Sequence, residues 1–406
     1  MILEGKTALV TGGTGFIGGR LVEKLVLEQR CRVRVLVRNF AKASRIAAFP
    51  VELVPGAITD RDALESAIHG CDLVFHCAHD FTPDLEGQRR ANVEATRNLA
   101  ELCLEEKVSR LVYLSSVATY SPATVDELTE SSPWPASEDA YVLVKRDVER
   151  LLRDLHEEKG VPAVTLQPTI VYGPFSTFWT LHPVQRLLSG VVPLVDGGAG
   201  ICNAVYVDDL VDSMILAAAH PDVTGEKFLI SAEKPVTWKM FYQALERAIG
   251  VQSTVEMSEA EIRSRIRDRE RRSRIAYRVM RRLRSPATWA QLGKVSAVKA
   301  AAKIVPDAAL EAAAKRWLEH DSRKTVVVDG RARPLALPGP ASLQAEKSRS
   351  RARIDKAKAR LGYTPRFDLE RGMDITRRYL EWANVTNNPE APSAGPTSLL
   401  KLASRN

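Results

Sequence analysis

A strand, a cluster of glycines and a helix follow one another near the start of the chain, and this order constrains the fold more than any other feature. Residues 7–26 read TALVTGGTGFIGGRLVEKLV, in which Gly12, Gly15 and Gly18 fit the spacing G-x-x-G-x-x-G. Glycines let the backbone turn tightly and approach a pyrophosphate closely, while the N-terminus of the following helix offers N–H groups to the anion. No Lys-Ser or Lys-Thr pair follows the glycines, which excludes a P-loop. The pattern predicts a dinucleotide-binding turn, with an ordinary glycine-rich turn as the alternative.

Short apolar runs alternate with amphipathic stretches through the first half of the chain. The runs that read as strands are KTALVTG, RVRVLVRN, VELVPGAI, DLVFHCA, SRLVYLSS and PAVTLQPTIVYGP. Strands separated by helices pair in parallel, with the helices on both faces of the sheet. We therefore predict an α/β fold: a doubly wound parallel sheet of the Rossmann type with a smaller C-terminal substrate domain and a helical insertion.

The end of the second predicted strand bears on the choice of dinucleotide. An acid about 20 residues beyond the glycines commonly bonds the adenosine ribose of NAD, whereas an arginine suits the 2′-phosphate of NADP. Here that position is Arg38, in RVRVLVRN. A guanidinium pairs with a phosphate dianion and stacks on adenine. The sequence favours NADP over NAD, and a solvated charge at a strand end is the alternative for Arg38.

Tyr141 and Lys145 are four residues apart in the predicted helix EDAYVLVKRDVE, and hence on one face of it. A phenol is a poor base at neutral pH, but a neighbouring ammonium, together with the positive nicotinamide ring, lowers its pKa and enables proton exchange with a hydroxyl or carbonyl. Ser115 and Ser116 end the preceding strand, at the sheet edge where ligands of open α/β sheets bind. An exposed helix pair is the common alternative for Y-x-x-x-K, but the hydroxyl beside a dinucleotide turn favours a proton-transfer site.

The chain resembles the extended short-chain dehydrogenases/reductases, the NAD-dependent epimerase/dehydratase family. The motifs that carry the likeness are TGGTGFIG, VFHCA, NVEATRNL, YLSSVATYSP, YVLVK, QPTIVYGP, NAVYVDDL and LGYTPRFDLERGM. The resemblance implies that Tyr141 is the acid/base, Lys145 orients the nicotinamide ribose and Ser116 holds the substrate oxygen. The cofactor contacts it implies, together with Arg38, come from Gly12, Gly15, Phe16, Ile17, Gly18, His76, Ala78, Asn92, Tyr141, Lys145 and Pro168.

Departures from the family pattern narrow the expected reaction. Val117 and Ala118 stand where the family's dehydratases carry an Asp-Glu pair, so a 4,6-dehydratase is not expected. The segment PTIVYGP is more similar to 3β-hydroxysteroid dehydrogenases and dihydroflavonol-type reductases. We expect an NAD(P)-dependent oxidoreductase that transfers hydride between the nicotinamide and a secondary alcohol or ketone. A nucleotide-sugar epimerase with retained NAD and a non-catalytic cofactor-sensing protein are the alternatives, and the resemblance implies a homodimer.

The composition of the remaining chain changes along its length. We predict a Rossmann domain over residues 1–174 with a returning segment at 203–232, a substrate domain from 175–250 and 331–383, a basic helical insertion at 251–330 and a disordered tail at 384–406. The resemblance implies that VYVDDLV, which contains Asp208 and Asp209, is a structural strand-to-helix turn, with Asp209 as the cap of the helix.

Positive charge is concentrated in residues 262–303. This window holds fourteen Lys or Arg against two acids, whereas the whole chain has a net charge of +8. A solvated helix face is one interpretation, and contact with an anionic membrane surface is a second. Nucleic acid is not expected, because no platform of interleaved aromatic and basic residues accompanies the charge.

Cysteines and apolar runs indicate the compartment. The five cysteines are scattered and form no C-x-x-C pair, which is typical of reduced thiols and gives no support for a zinc site. No secretory signal and no apolar run of about 18 residues is seen. We expect a cytoplasmic protein without a metal, or one held peripherally at the inner membrane face.

Overall fold

The chain divides into two compact units, each made of several segments. The computed structural model describes residues 2–121, 125–283, 325–328 and 331–385. The first unit comprises Met1–Val184, Gly200–Ile249 and Gln344–Asn388, and the second comprises Gln185–Ala199, Gly250–Leu343 and Pro389–Asn406. The predicted division into four parts is drawn at other residues and stays a prediction.

The described strands and helices are as follows in chain order. The strands are β1 Thr7–Thr11, β2 Arg32–Val37, β3 Val51–Pro55, β4 Leu73–His76, β5 Arg110–Leu114, β6 Glu127–Leu128, β7 Ala163–Pro168, β8 Ile170–Tyr172, β9 Val192–Val195, β10 Ala204–Tyr206, β11 Lys227–Ile230, β12 Thr254–Met257, β13 Thr325–Val328, β14 Arg331–Pro334 and β15 Arg351–Ala352. The helices are α1 Phe16–Leu27, α2 Arg61–Ile68, α3 Leu85–Gln88, α4 Ala95–Glu105, α5 Ala140–Lys159, α6 His182–Ser189, α7 Val207–Ala219, α8 Trp238–Ile249, α9 Glu259–Leu283, α10 Pro340–Lys347, α11 Asp355–Leu361 and α12 Leu369–Trp382. A π-helical turn over Arg89–Glu94 joins α3 to α4, and a 3-10 turn over Val117–Tyr120 follows β5.

A seven-stranded sheet forms the centre of the first unit. Its order is β11-β7-β5-β4-β1-β2-β3, and every pair in it is parallel. The chain runs from β1 outward to β3 and then returns to β4 on the other side of β1, so a crevice opens at the carboxyl ends of β1 and β4. Thr11 at the end of β1 is in register with Leu36 of β2 and His76 of β4. The predicted doubly wound parallel sheet is confirmed.

Apolar strands and one face of each of α2, α4 and α5 make a continuous core on one side of this sheet. Leu9, Val74 and Leu111 come from three neighbouring strands and are fully buried. Each fully buried leucine contributes about 2 kcal/mol relative to exposure. The sequence DRDALESAIHG predicts a helix with Asp60 as its cap, and the Asp60 carboxylate accepts the N–H of Ala63 at the start of α2. This core holds the carboxyl ends of β4, β5 and β7 at one sheet edge.

The second unit is smaller and has its own apolar cluster. Strands β9 and β12 pair in parallel, and β13 pairs with β14 in antiparallel fashion. Ile262 of α9 is buried against Val195 and Met257. The sequence predicts continuous helix from Glu259 to about His320; α9 accounts for the part to Leu283, and residues 284–324 lie outside the described residues.

The expectation that Asp209 caps α7 is wrong. Tyr206 is the cap residue before α7, and its side chain makes no capping hydrogen bond. Asp209 is buried and accepts the backbone N–H groups of Arg366 at 2.8 Å and Phe367 at 3.1 Å. Burial raises the pKa of this carboxyl to about 6. Asp209 therefore fastens the C-terminal segment before α12 to α7.

Within the described ranges, no helix is both long enough and apolar enough to cross a membrane. Of the predicted tail at 384–406, residues 386–406 lie outside the described residues.

Candidate functional site

The glycine turn lies between the end of β1 and the start of α1 and leaves no room for side chains. Gly12 has a left-handed φ of +72°, and a Cβ there would lie 2.7 Å from the backbone nitrogen of Ala78. A Cβ on Gly13 would lie 2.6 Å from Val35, and one on Gly18 would meet the Gly12 carbonyl. Gly15 precedes α1 without a side-chain cap, so the first N–H groups of the helix, beginning at Phe16 and Ile17, stay available to an anion.

The residues predicted at the end of β4 support the crevice through bonds within the protein. His76 is buried, with Nδ1 bonded to Thr11 at 2.7 Å and Nε2 bonded to Thr96 at 3.0 Å. Burial lowers the pKa of His76 to about 3, so the ring is neutral. The Asn92 amide accepts the N–H of Asp80 at 2.8 Å and donates to the Asp80 carbonyl at 3.0 Å. Both side chains thus set the loop after β4, and their predicted contact with a cofactor stays a prediction.

His79 follows in the same loop and is a residue that the sequence reasoning assigned no role. Its ring packs edge-on against Tyr141, with ring centroids 5.0 Å apart, and against Phe81 at 4.6 Å. Its Nε2 is buried and has no hydrogen-bond partner among the described residues. Buried polar atoms normally have a hydrogen-bond partner. A dinucleotide bound at the glycine turn has polar groups that could pair with this ring nitrogen, so His79 fits such a site. The only sequence signal was a second histidine three residues beyond the one that ends β4.

Arg38 extends from the end of β2 into solvent. Its side chain is 65% exposed, and its guanidinium pairs with Asp80 of the loop after β4 at 3.0 Å. Bonds from Thr82 and Arg38 hold the pKa of Asp80 below its usual range. Arg38 therefore lies on the same sheet edge as the glycine turn, and it pairs with the partly buried carboxylate of Asp80.

Ser116, Tyr141 and Lys145, the three residues predicted to form the proton-transfer site, come together at the carboxyl end of β5. Asp139 caps α5 by accepting the N–H of Tyr141 at 2.9 Å. Lys145, one turn further, is buried, and its ammonium donates to the Leu114 carbonyl at 2.8 Å. Ser116 caps the following 3-10 turn and lines the same cavity as Tyr141. Their predicted proximity is observed, because a strand end and one face of the next helix meet at this edge.

Burial shifts the pKa values of both Tyr141 and Lys145. Burial raises the pKa of Tyr141, while Ser116 acts in the opposite direction as a hydrogen-bond partner. Burial also lowers the pKa of Lys145 to about 8, against the opposing charge of Glu149. The Lys145 ammonium lies 5.8 Å from the Tyr141 ring centroid. The expected lowering of the phenol pKa by this ammonium together with the positive nicotinamide ring stays a prediction. Tyr141 is a protonated acid in this state.

A cavity of about 440 Å³ opens in front of Ser116 and Tyr141. Aromatic rings form much of its wall: Phe81 stacks on Tyr141 at 5.8 Å, and Trp179 lies 6.0 Å from Trp238. The lining residues are Phe81, Ser116, Val117, Ala118, Tyr120, Ser121, Leu128, Tyr141, Thr169, Ile170, Phe178, Trp179, Ile201, Cys202, Asn203, Trp238, Gln344, Ala345, Ser348 and Ser350. In the described part of the chain, no Asp, Glu, Lys or Arg lines it.

Pro168 ends β7 at the same edge and pairs with Ile230 of β11. The next residue, Thr169, bonds Ser231 at 3.0 Å and lines the cavity. No group of three or more His, Cys, Asp or Glu that could hold a metal ion occurs over the described ranges.

Comparisons with known proteins agree with this geometry. The family model of the NAD dependent epimerase/dehydratase family matches residues 8–231. A UDP-glucose 4-epimerase of Vibrio cholerae is 30% identical over 238 residues, which cover 56% of this chain and 70% of that protein. A 4-hydroxy-2-methyl-3-oxo-4-farnesyl-3,4-dihydroquinoline-1-oxide ketoreductase of Stigmatella aurantiaca is 27% identical over 251 residues, which cover 61% and 74%.

A solved structure shares the fold along nearly the whole chain. It is the dTDP-glucose 4,6-dehydratase of Streptomyces venezuelae with NAD and TYD bound, which superposes with a TM-score of 0.64 at 19% identity. The match covers 93% of this chain and 98% of that one.

Proposed function

Because the chain belongs to the NAD dependent epimerase/dehydratase family of NAD(P)-dependent oxidoreductases and epimerases, we propose that it reduces a ketone, or oxidises the matching secondary alcohol, with NADP(H). When bound, the nicotinamide supplies or accepts the hydride. Tyr141 gives its proton to the carbonyl oxygen during reduction, and Ser116 donates a hydrogen bond to the same oxygen. Lys145 carries the positive charge beside the phenol and bonds the nicotinamide ribose.

The cofactor would lie along the sheet edge formed by the carboxyl ends of β1, β2 and β4. Gly12, Gly15 and Gly18, with the N–H groups of Phe16 and Ile17, hold the pyrophosphate. At the position where an acid would bond the ribose of NAD, the exposed guanidinium of Arg38 stands instead. A guanidinium can pair with a 2′-phosphate, and this supports NADP over NAD. His76, Ala78 and Pro168 lie at or just beyond the carboxyl ends of β4 and β7, and Asn92 of the π-helical turn bonds the loop after β4; all four are proposed to contact the cofactor.

One observation carries the choice of reaction: the cavity at Ser116 and Tyr141 has no charged lining residue in the described structure. A nucleotide-sugar substrate brings a diphosphate, and burying it without cations is costly. An uncharged ketone or alcohol with an apolar body costs nothing of this kind and gains from contact with Phe81, Phe178 and Trp179. The ketoreductase relative is consistent with this chemistry.

Stoichiometry tests the proposal. The purified protein should consume one NADPH for each molecule of uncharged aromatic ketone reduced, and should release NADP. Tightly retained NAD with interconversion of UDP-sugars and no net NADPH consumption would instead establish the epimerase alternative. Saturable NADPH binding without turnover of any ketone would favour the cofactor-sensing alternative.

Two further expectations also stay proposals. A homodimer is tested by sedimentation of the purified protein. Contact of residues 262–303 with an anionic membrane is tested by flotation with phosphatidylserine vesicles and with neutral vesicles; residues 284–303 lie outside the described residues. A cytoplasmic location, tested by cell fractionation, is proposed with it.

A further inference from the structure

A buried carboxylate lies on the helix that carries Tyr141 and Lys145. Glu149 follows Lys145 by four residues, and hence by one turn, on α5. Its side chain is only 7% exposed. Carboxylates are seldom buried unless they are paired or fully hydrogen-bonded. The burial of Glu149 therefore needs an explanation, whereas an exposed glutamate on an amphipathic helix would need none.

Neutral donors surround this carboxylate. The Ser115 hydroxyl donates to Oε1, and the Gln167 amide donates to both oxygens at 2.9 Å. The Gln167 oxygen in turn accepts the hydroxyl of Tyr120 at 3.0 Å. The end of β5 and strand β7 thus supply the donors to this carboxylate, and the turn that carries Tyr120 braces Gln167. Among the described residues, no Lys or Arg forms a hydrogen bond or ion pair with Glu149.

Lys145 and Glu149 hold consecutive residues at the end of β5. The Lys145 ammonium donates to the Leu114 carbonyl, and the Glu149 carboxylate accepts the Ser115 hydroxyl. The next residue is Ser116, which lines the cavity with Tyr141. Two adjacent turns of α5 therefore fasten the strand end that presents Ser116, and they set the distance from its hydroxyl to the phenol.

The charges facing the pair come from several elements. Glu149 is faced by Lys145 and Arg146 of its own helix, by Lys227 of β11, and by the hydroxyls of Tyr113 and Tyr120. Lys145 is faced, besides Glu149, by groups of the β4 end, namely His76, Cys77 and His79.

Only Glu149 offers Lys145 a negative charge from among these groups. Burial raises the pKa of Cys77 to about 12 and lowers those of His76 and His79 to about 3, so all three are neutral near pH 7. Burial raises the pKa of Glu149 too, but bonds from Ser115 and Gln167 and the nearby lysines oppose that rise.

We infer that Glu149 is a positioning residue of the proton-transfer site: its carboxylate fixes Ser115 and so Ser116, and its charge keeps the buried Lys145 protonated. This inference rests on the proposed function, in which the Lys145 ammonium bonds the nicotinamide ribose. Removing the charge of Glu149 leaves the ammonium buried without compensation. An opposite charge within about 4 to 6 Å shifts a pKa by about 1 unit or more, and Glu149 lies one helical turn from Lys145 and raises its pKa.

The pH dependence of NADPH binding tests the inference, because a purely structural role does not move it. The wild-type protein should show a break in log Kd near pH 8, where Lys145 loses its proton. Glu149→Gln should move the break to about pH 7 and weaken binding about fivefold at pH 8. Glu158→Gln, which removes an exposed carboxylate of the same helix, is the matched control and should leave the break in place.

Each outcome is decisive. An unchanged break in folded Glu149→Gln overturns the inference and leaves the proposed function intact. Absence of NADPH binding by the wild-type protein overturns the proposed function and the inference with it. If Glu149→Gln does not fold, the double variant Glu149→Met, Ser115→Ala removes both partners of the buried bond and is subjected to the same measurement.

Discussion

Replacing Arg38 by glutamine should weaken NADPH binding and leave NADH binding unchanged. A charge-assisted hydrogen bond to a phosphate contributes about 1.5 to 3 kcal/mol. The side chain is 65% exposed and already pairs with Asp80 at 3.0 Å, so solvent screening and exchange of partners reduce the gain to the low end of that range. We therefore expect NADPH to bind Arg38→Gln about tenfold more weakly.

The Asp80 partner provides an opposite perturbation. Asp80→Asn keeps the side chain that accepts the Thr82 N–H but removes the carboxylate that competes with a 2′-phosphate for Arg38. An exposed ion pair is worth about 0 to 1 kcal/mol, so NADPH should bind up to about fivefold more tightly. Quenching of protein fluorescence gives both dissociation constants, at low and at physiological ionic strength, where the difference should shrink.

Comparing the affinities for NADPH and NADH decides whether Arg38 contacts the 2′-phosphate. Equal weakening of NADPH and NADH by Arg38→Gln would refute the reasoning, since a 2′-phosphate contact affects only one of them. An unchanged NADPH affinity in both variants would assign Arg38 to the alternative, a solvated charge at a strand end.

Three further predictions follow from buried groups. His76 and His79 each have a folded pKa of about 3 against 6.5 when unfolded, so the unfolded chain takes up these protons first and stability falls as the pH drops below 6.5. Urea unfolding should show about 2 kcal/mol lost per histidine between pH 6.5 and 5, and His76→Gln should remove about half of that slope. A Cβ at Gly18 would meet the Gly12 carbonyl, so Gly18→Ala should weaken NADPH binding at least about tenfold in a fluorescence titration, and unaltered affinity would contradict a phosphate role for this turn. Ala118 lines the uncharged cavity, so Ala118→Asp should lower kcat/KM for a neutral ketone by about 10² relative to Ala118→Asn, and equal values in the two variants would contradict the apolar-substrate argument.

Structural features that depend on local sequence patterns could be predicted from the sequence. The glycine turn, the Asp60 cap and the alternation of strands and helices each depend on residues close together in the chain. Tyr141 and Lys145 belong with them, because a four-residue spacing on a helix fixes their common face. Because the strands pair in parallel, the carboxyl end of β5, and Ser116 beyond it, lies at the same sheet edge as the glycine turn.

Features built from distant segments could not be predicted in the same way. The cavity joins Phe81, Trp238 and Ser350, which no periodicity relates. Glu149 reads as one more charge of an amphipathic helix until β5 and β7 surround it with donors. Asp209 looks like a helix cap because its partners, the N–H groups of Arg366 and Phe367, lie more than 150 residues further along the chain.

Tyr141→Phe tests the central claim most directly, since it removes one hydroxyl and keeps the ring that packs against His79 and Phe81. NADPH-dependent reduction of an uncharged aromatic ketone should fall by about 10² to 10⁴ in kcat, while the Kd for NADPH should stay within about twofold. Reduction by Tyr141→Phe at the wild-type rate would contradict the assignment of Tyr141 as the acid that completes hydride transfer.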